Sequence, residues 1–125
     1  INVMGNLNLL EACRINGKVK RFVYASSAYA LSEKGSFYGI SKLSSEKLTK
    51  EYHNRFNLKY TIIRYGSVYG ERDYNNNYIY NLLHYAIKYG ELCLKDDGED
   101  LREFIHASDV AKLSVSALKN KEYEK

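Results

Sequence analysis

Two residues suited to proton transfer, Tyr38 and Lys42, lie four positions apart in the segment Tyr-Gly-Ile-Ser-Lys. On a helix this spacing places both side chains on one face, one turn apart. A phenol ordinarily keeps its proton up to about pH 10, but a neighbouring ammonium and the positive N-terminus of a helix both favour the phenolate. Such a pair can take a proton from an alcohol, or protonate a carbonyl oxygen as a hydride arrives.

A third candidate, Ser27, ends the apolar segment Arg-Phe-Val-Tyr-Ala-Ser-Ser at residues 21–27. A segment that is apolar on both faces is typical of a buried parallel strand, and open sheets bind ligands at the carboxyl ends of such strands. The Ser27 hydroxyl could therefore hydrogen-bond the same substrate oxygen as Tyr38. The chain has thirteen tyrosines, so the Tyr-x-x-x-Lys spacing can arise by chance. The order of strand, Ser-Ser, loop and helix carries more weight than the pair alone.

Hydrophobic spacing predicts the elements that position these residues. We predict helices at 2–16, 38–56, 78–89 and 109–118, the first ended by Gly17, the third by Gly90 and the last capped by Ser108. We predict strands at 21–27, 58–64, 92–94 and 104–105, loops at 28–37 and 65–77, an acidic turn at 96–100 and a frayed end at 119–125. Alternating helices and strands indicate an α/β fold with a parallel sheet and flanking helices. Three or four strands are few for a doubly wound sheet, so we expect an incomplete domain.

Composition excludes several classes of protein. The 125 residues are 45% hydrophobic and 27% charged, which is typical of one packed domain and not of a disordered, collagen-like or coiled-coil chain. No apolar run is long enough to cross a bilayer and no signal peptide is visible, so we expect a cytoplasmic protein. The net charge of +4 is scattered along the chain, which does not favour nucleic-acid binding.

The cysteines and histidines do not indicate a metal site. Cys13 and Cys93 are expected to be free thiols, because the chain shows no secretory signal. The three histidines have no ligand spacing: His53, His84 and His106. We expect His106 to have a structural role.

Four segments in order carry a family resemblance: residues 21–28, 38–46, 62–70 and 98–111. Together they resemble the extended short-chain dehydrogenases/reductases, and more narrowly the NAD-dependent nucleotide-sugar epimerase/dehydratase family. The opening segment, Asn-Val-Met-Gly-Asn-Leu-Asn-Leu-Leu-Glu, is similar to the family's helix before the catalytic strand. The resemblance covers nearly the whole chain and implies a Rossmann-like fold, of which this chain is the C-terminal-side portion.

The resemblance implies roles for individual residues. Tyr38 is the expected acid/base, Lys42 its partner and a contact to the nicotinamide ribose, and Ser27 polarises the reacting oxygen. Further contacts to the cofactor, NAD or NADP, are expected from Tyr38 itself and from Ala25, Ser26 and Tyr65. Ser67 and Arg102 are the expected substrate contacts, since a guanidinium suits the pyrophosphate of a nucleotide-sugar. Family members oxidise a sugar carbon transiently and then epimerise it, eliminate water or reduce it again.

The sequence departs from the family pattern in its glycines. No Gly-x-x-Gly-x-x-Gly spacing, the loop that binds the cofactor pyrophosphate, occurs among residues 1–125. We expect that loop upstream of Ile1, so that the chain is a partial NAD(P)-binding domain, with the start of a substrate-binding region at about 71–108. The loop before Tyr38 is short for the family, and Ser67 stands where the family usually has asparagine. These departures leave the sugar and the reaction open.

Two alternatives remain beside the epimerase/dehydratase interpretation. One is an NAD(P)H-dependent reductase of a keto-sugar or another small ketone, and the other is a non-catalytic binding protein with the same fold. In the full-length protein the resemblance also implies a homodimer, built from the helices at 2–16 and 38–56. The expected partner is a nucleotide-sugar, with no nucleic acid and no membrane.

Overall fold

The computed structural model describes residues 1–72, 77–92 and 101–123. The helices of this part are α1 (Asn2–Asn16), α2 (Ser36–Phe56), α3 (Tyr78–Tyr89) and α4 (Ala107–Lys119). Its strands are β1 (Phe22–Ser27), β2 (Tyr60–Tyr65), β3 (Ser67–Tyr69) and β4 (Phe104–His106). Short 3₁₀ turns occupy Ala28–Leu31, Glu33–Gly35 and Lys121–Tyr123. The alternation of helices with parallel strands confirms the predicted α/β class.

The chain divides into two compact units, the first made of residues 1–65 and the chain from Lys112 onward, and the second of residues 66–111. In the first unit, β1 and β2 pair in parallel, so that Ser26 lies opposite Arg64 and Ser27 opposite Tyr65. Helix α2 packs against both strands, and α1 packs against α2. The buried apolar residues of this unit are Leu10, Tyr24, Ala30, Leu58, Tyr60 and Ala117.

Both long helices of the first unit end in the left-handed backbone conformation. Gly17 has φ 66°, and its N–H donates to the Cys13 carbonyl. Asn57 has φ 55°, and its N–H donates to the His53 carbonyl. Glycine and asparagine are the residues that tolerate this conformation best, which is why the helices stop where they do.

The second unit contains β3, α3 and β4. Strands β3 and β4 pair in parallel, with Ser67 opposite Phe104 and Tyr69 opposite His106. Helix α3 is capped by Asn77, whose side-chain oxygen accepts from the Ile79 N–H at 2.9 Å. Its amide nitrogen donates to the Val68 carbonyl at 2.7 Å, so one side chain joins the helix to the sheet.

Several predicted boundaries are wrong. The described strands form two two-stranded sheets instead of one, and β2 runs over Tyr60–Tyr65 instead of 58–64. The predicted loop at 28–37 contains two 3₁₀ turns, and α2 begins two residues early, at Ser36. The predicted loop at 65–77 contains β3, a strand of three residues that is too short for a periodic signal.

Two expectations near the C-terminus also need correction. Helix α4 begins at Ala107, so Ser108 lies inside its first turn and does not cap it. Residues from Lys119 do not simply fray: Lys121–Tyr123 form a 3₁₀ turn, and the Tyr123 carbonyl accepts from the Thr61 hydroxyl at 2.5 Å. Leu92 is not in a strand, and the rest of the predicted strand at 92–94 and the acidic turn at 96–100 lie outside the described residues.

Within residues 1–72, 77–92 and 101–123, none of the helices has the length and apolar character needed to cross a bilayer. The same residues contain no group of three histidine, cysteine or acidic side chains arranged to hold a metal ion.

Candidate active site

The first turns of α2 bring Tyr38 and Lys42 together. The Lys42 Nζ lies 5.7 Å from the centre of the Tyr38 ring, as their spacing on a helix predicts. Tyr38 is 47% exposed, so a molecule arriving from solvent can reach its hydroxyl.

Two groups on β1 hold the Lys42 side chain. Its Nζ donates to the Ala25 carbonyl at 2.8 Å and lies 5.2 Å from the centre of the Tyr24 ring. Neither group carries a negative charge, so both retain the ammonium without neutralising it. Among the described residues no carboxylate forms an ion pair with Lys42.

Ser27 ends β1 and is nearly buried, with 7% of its surface exposed. Its Oγ accepts from the Tyr29 N–H at 3.2 Å and so caps the first 3₁₀ turn. A serine hydroxyl donates as well as accepts, so this bond leaves the Ser27 hydrogen able to donate to a ligand.

Tyr29, which the sequence did not single out, connects the end of β1 to the start of α2. Its ring meets the Tyr38 ring edge to face, with centroids 6.5 Å apart. Its carbonyl oxygen would lie only 2.4 Å from a Cβ placed at Gly35 or at Gly39. Both glycines are therefore required for this close approach of the Tyr29 carbonyl to the first turn of α2, the turn that carries Tyr38.

A buried ion pair lies one turn further along α2. Glu46 is fully buried, and its carboxylate accepts from Arg64 at 2.8 and 2.6 Å and from the Ser26 hydroxyl at 2.6 Å. The Arg64 guanidinium and the Ser26 hydroxyl lower the pKa of Glu46, although burial acts in the opposite direction. Three elements, α2, β1 and β2, are thus joined beside the predicted catalytic residues.

Of the predicted cofactor contacts, three are already engaged within the protein. The Ser26 hydroxyl donates to Glu46, the Ala25 carbonyl accepts from Lys42, and the Tyr65 hydroxyl bonds the Ser114 hydroxyl at 2.6 Å. Their contacts to a cofactor remain predictions. One feature of the sequence pointed to Glu46: it follows Tyr38 and Lys42 at the same four-residue interval, which places all three side chains on one face of α2.

The two predicted substrate contacts, Ser67 and Arg102, belong to the second unit. Ser67 starts β3, and its N–H donates to the Glu103 carbonyl at 2.8 Å. The exposed Arg102 guanidinium lies 4.4 Å from the centre of the Tyr78 ring. Stacking on an aromatic face is a common arrangement for a guanidinium.

An open cleft in the second unit is lined by residues that end or follow the two strands: Tyr69, Gly70, Glu71, Arg72, His106 and Ser108. The His106 ring packs edge to face on Tyr69 with centroids 5.3 Å apart, and its Nδ1 is 2.7 Å from the Ser108 hydroxyl. These contacts agree with the structural role expected for His106.

Comparison with known proteins agrees with this architecture. The sequence profile of the NAD dependent epimerase/dehydratase family matches residues 1–125. The chain therefore belongs to the NAD-dependent epimerase/dehydratase family.

Curated relatives include two epimerases. A putative UDP-glucose 4-epimerase of Methanocaldococcus jannaschii is 30% identical over 94% of this chain and 44% of its own length. A UDP-glucuronate 4-epimerase of Thermodesulfobacterium geofontis is 27% identical over 98% of this chain and 42% of its own. The chain thus spans less than half the length of these relatives.

Solved structures of similar proteins hold ligands. UDP-glucuronic acid 4-epimerase from Bacillus cereus, in complex with UDP-glucuronic acid and NAD, superposes with a TM-score of 0.83 at 30% identity, over 98% of this chain and 42% of that one. UDP-glucose 4-epimerase from Thermotoga maritima, with UDP-glucose, gives a TM-score of 0.78 at 28% identity, over 94% of this chain and 44% of that one.

Proposed function

We propose that the full-length protein is an NAD-dependent epimerase that acts on a nucleotide-activated sugar, with Tyr38 as its acid/base. The observation that carries the proposal is the placement of an exposed Tyr38 beside a Lys42 ammonium that no carboxylate neutralises within the described residues. Membership of the epimerase/dehydratase family supports the same reaction class. Similar proteins that bind UDP-sugars and NAD support the substrate class.

The residues present suit the nicotinamide end of the cofactor. An ammonium has three N–H donors, and Lys42 uses one of them on the Ala25 carbonyl. The others are free to bind ribose hydroxyls at the carboxyl end of β1, where parallel sheets bind nucleotides. NAD, when bound, would accept a hydride from the sugar carbon and later return it. The family profile favours NAD, and NADP is to be tested beside it.

Tyr38 would move the proton that accompanies the hydride. As the phenolate, it takes the proton of the sugar hydroxyl while Ser27 donates a hydrogen bond to the same oxygen. Tyr38 would hold this proton while the sugar is a ketone and would then give it back to the same oxygen, which restores the phenolate. The net change is inversion at one carbon.

Two further residues are proposed to contact the substrate. Arg102 presents a guanidinium that fits the pyrophosphate of a nucleotide-sugar, and Ser67 offers a hydroxyl to the sugar. In the full-length protein we expect a homodimer formed through α1 and α2, which can be tested by light scattering of that protein.

The test is a panel of UDP-hexoses and UDP-hexuronates given to the full-length protein with NAD, with products separated by chromatography. The proposal expects one epimer pair to interconvert with no net NADH. It expects Tyr38→Phe to lower kcat by about 10²- to 10⁴-fold, the usual worth of a general acid/base. Tyr89→Phe, a change at another exposed tyrosine, is the control and should keep full activity.

Three outcomes would contradict the proposal. Stoichiometric consumption of NAD(P)H would identify a reductase instead, and water elimination would identify a dehydratase. Full activity in Tyr38→Phe, with an unchanged circular dichroism spectrum, would show that another group moves the proton.

A further inference from the structure

Lys42 and Glu46 have opposite charges and lie four residues apart on α2, a spacing at which lysine and glutamate commonly pair. In this structure they do not pair. Lys42 donates to the Ala25 carbonyl, while Glu46 accepts from Ser26 and from both nitrogens of the Arg64 fork. The backbone carbonyl of Ala25 thus holds Lys42, while the side chains of Ser26 and Arg64 hold Glu46.

The position of Arg64 explains the separation. Arg64 lies opposite Ser26 in the parallel pairing, so its guanidinium reaches the Glu46 carboxylate from the strand side of α2. The Glu46 side chain is 1% exposed, and a buried carboxylate requires a cation or strong hydrogen-bond donors. After Arg64 and Ser26, the Lys50 charge also lowers the pKa of Glu46. Without Arg64, Lys50 and Lys42 are the cations on the same helix face, one turn to either side of Glu46.

The charged and titratable groups around Lys42 can be named element by element. Helix α2 carries Tyr38 and Glu46, β1 carries Tyr24, and β2 carries Arg64. Around them, the 3₁₀ turns carry Tyr29 and the exposed Glu33 and Lys34. On helix α1, Glu11 and Arg14 pair with each other at 2.6 Å beside Tyr52 and Phe56, near the far end of α2 from Lys42. Glu46 is therefore the one carboxylate that is buried on α2 beside Lys42.

We infer that Arg64 is a positioning residue: by holding Glu46, it keeps that carboxylate from neutralising the Lys42 ammonium, which stays available to Tyr38. The inference rests on the proposed function of Tyr38 and Lys42. It assigns a role in the chemistry to a residue that touches neither the substrate nor the reacting atoms. Loss of Arg64 frees a carboxylate to pair with Lys42, and a neutralised ammonium no longer favours the phenolate.

The test compares pH–rate profiles of the full-length protein. Arg64→Gln should move the ascending limb of the kcat profile to higher pH by about one unit, and Arg64→Lys, which keeps one charge, should move it less. Glu46→Gln combined with Arg64→Gln removes the carboxylate as well and should return the limb to its wild-type position. Lys50→Gln in the Arg64→Gln protein removes the competing cation and should enlarge the shift.

A merely structural role predicts a different pattern. If Arg64 only stabilises the fold, the double variant is no better than Arg64→Gln, and neither profile moves along the pH axis. The inference is overturned if the double variant does not restore the wild-type profile, or if the Arg64→Gln profile does not shift. It is also overturned if the Arg64→Gln profile shifts to lower pH. Where Arg64→Gln fails to fold, Arg64→Lys and the double variant give the same comparison, and an unmoved Arg64→Lys profile overturns the inference.

A second measurement separates this inference from the proposed function. Phenolate absorbance is titrated without substrate, and the signal of Tyr38 is the difference between each protein and its Tyr38→Phe counterpart. If the Tyr38 phenolate forms at a higher pH in Arg64→Gln than in the wild type, the inference is supported, even if the enzyme proves inactive on every sugar tested. If the phenolate forms at the same pH in both proteins, the inference is overturned, even if the protein is a proven epimerase.

Discussion

The Glu46 carboxylate makes stability depend on pH in a defined direction. Arg64 and Ser26 lower the pKa of Glu46 in the folded protein, whereas an unfolded chain returns it to about 4.3. A lowered pKa contributes stability above the unfolded value, and that stability is lost as pH falls through the folded one. We therefore expect the free energy of unfolding to fall more steeply for the wild type than for Glu46→Gln between about pH 5 and pH 3.

Urea unfolding of both full-length proteins at a series of pH values measures this difference. The other carboxylates are common to both proteins, so the difference in slope isolates Glu46. Parallel slopes would show that the ion pair does not contribute to acid stability.

Two helical glycines offer a matched pair of substitutions. A Cβ at Gly39 would lie 2.4 Å from the Tyr29 carbonyl oxygen, whereas a Cβ at Gly5 on α1 would meet nothing within 4 Å. We expect Gly39→Ala to destabilise the protein by about 1–3 kcal/mol, as overpacking does. Gly5→Ala should stabilise it by about 0.5–1 kcal/mol, through a higher helix propensity. Urea unfolding measures both, and equal effects would contradict the close approach at Tyr29.

At the scale of the elements, a polar side chain joins α1 to α2. The Asn6 amide is buried and donates to the Ser45 carbonyl at 3.1 Å and to the Thr49 hydroxyl at 3.4 Å. Its removal leaves those acceptors without that donor, so we expect Asn6→Ala to cost about 1–3 kcal/mol. Asn8 on the same helix is exposed, and Asn8→Ala is the control, with a change within about 0.5 kcal/mol. A neutral Asn6→Ala would show that α1 is held by other contacts.

Predictability from sequence differed between elements. The helices at 2–16 and 78–89 were predicted to the residue, because both have apolar periodicity and end at a left-handed glycine. Strand β3 was missed, since three residues carry no period. The start of α2 was missed because the Tyr29 carbonyl contact, a tertiary contact, positions it.

In the candidate site, too, the contacts between residues close in sequence were predicted and those between separate elements were not. Spacing alone paired Tyr38 with Lys42, because helical neighbours are local in sequence. The contacts among Ser26, Glu46 and Arg64 join three separate elements, and no local pattern specifies which strand residue reaches which helix residue. The catalytic roles of Ser27, Tyr38 and Lys42 remain predictions.

At the scale of the whole molecule, the matched part of each relative is less than half of its length. The sequence of this chain contains no Gly-x-x-Gly-x-x-Gly spacing, the loop that holds a cofactor pyrophosphate at a helix N-terminus. We therefore expect residues 1–125 alone to bind NAD much more weakly than the full-length protein. Isothermal titration of both proteins measures this, and micromolar binding by residues 1–125 would contradict it.

Strand pairing in the first unit is specified by charge as well as by apolar contact. Because Ser26 lies opposite Arg64, both side chains reach the same buried carboxylate. A slip of one residue would turn one of the two strands to its opposite face and leave the Glu46 charge short of a partner in the interior. The buried Glu46 carboxylate therefore favours the native register of β1 and β2 over a pairing displaced by one residue.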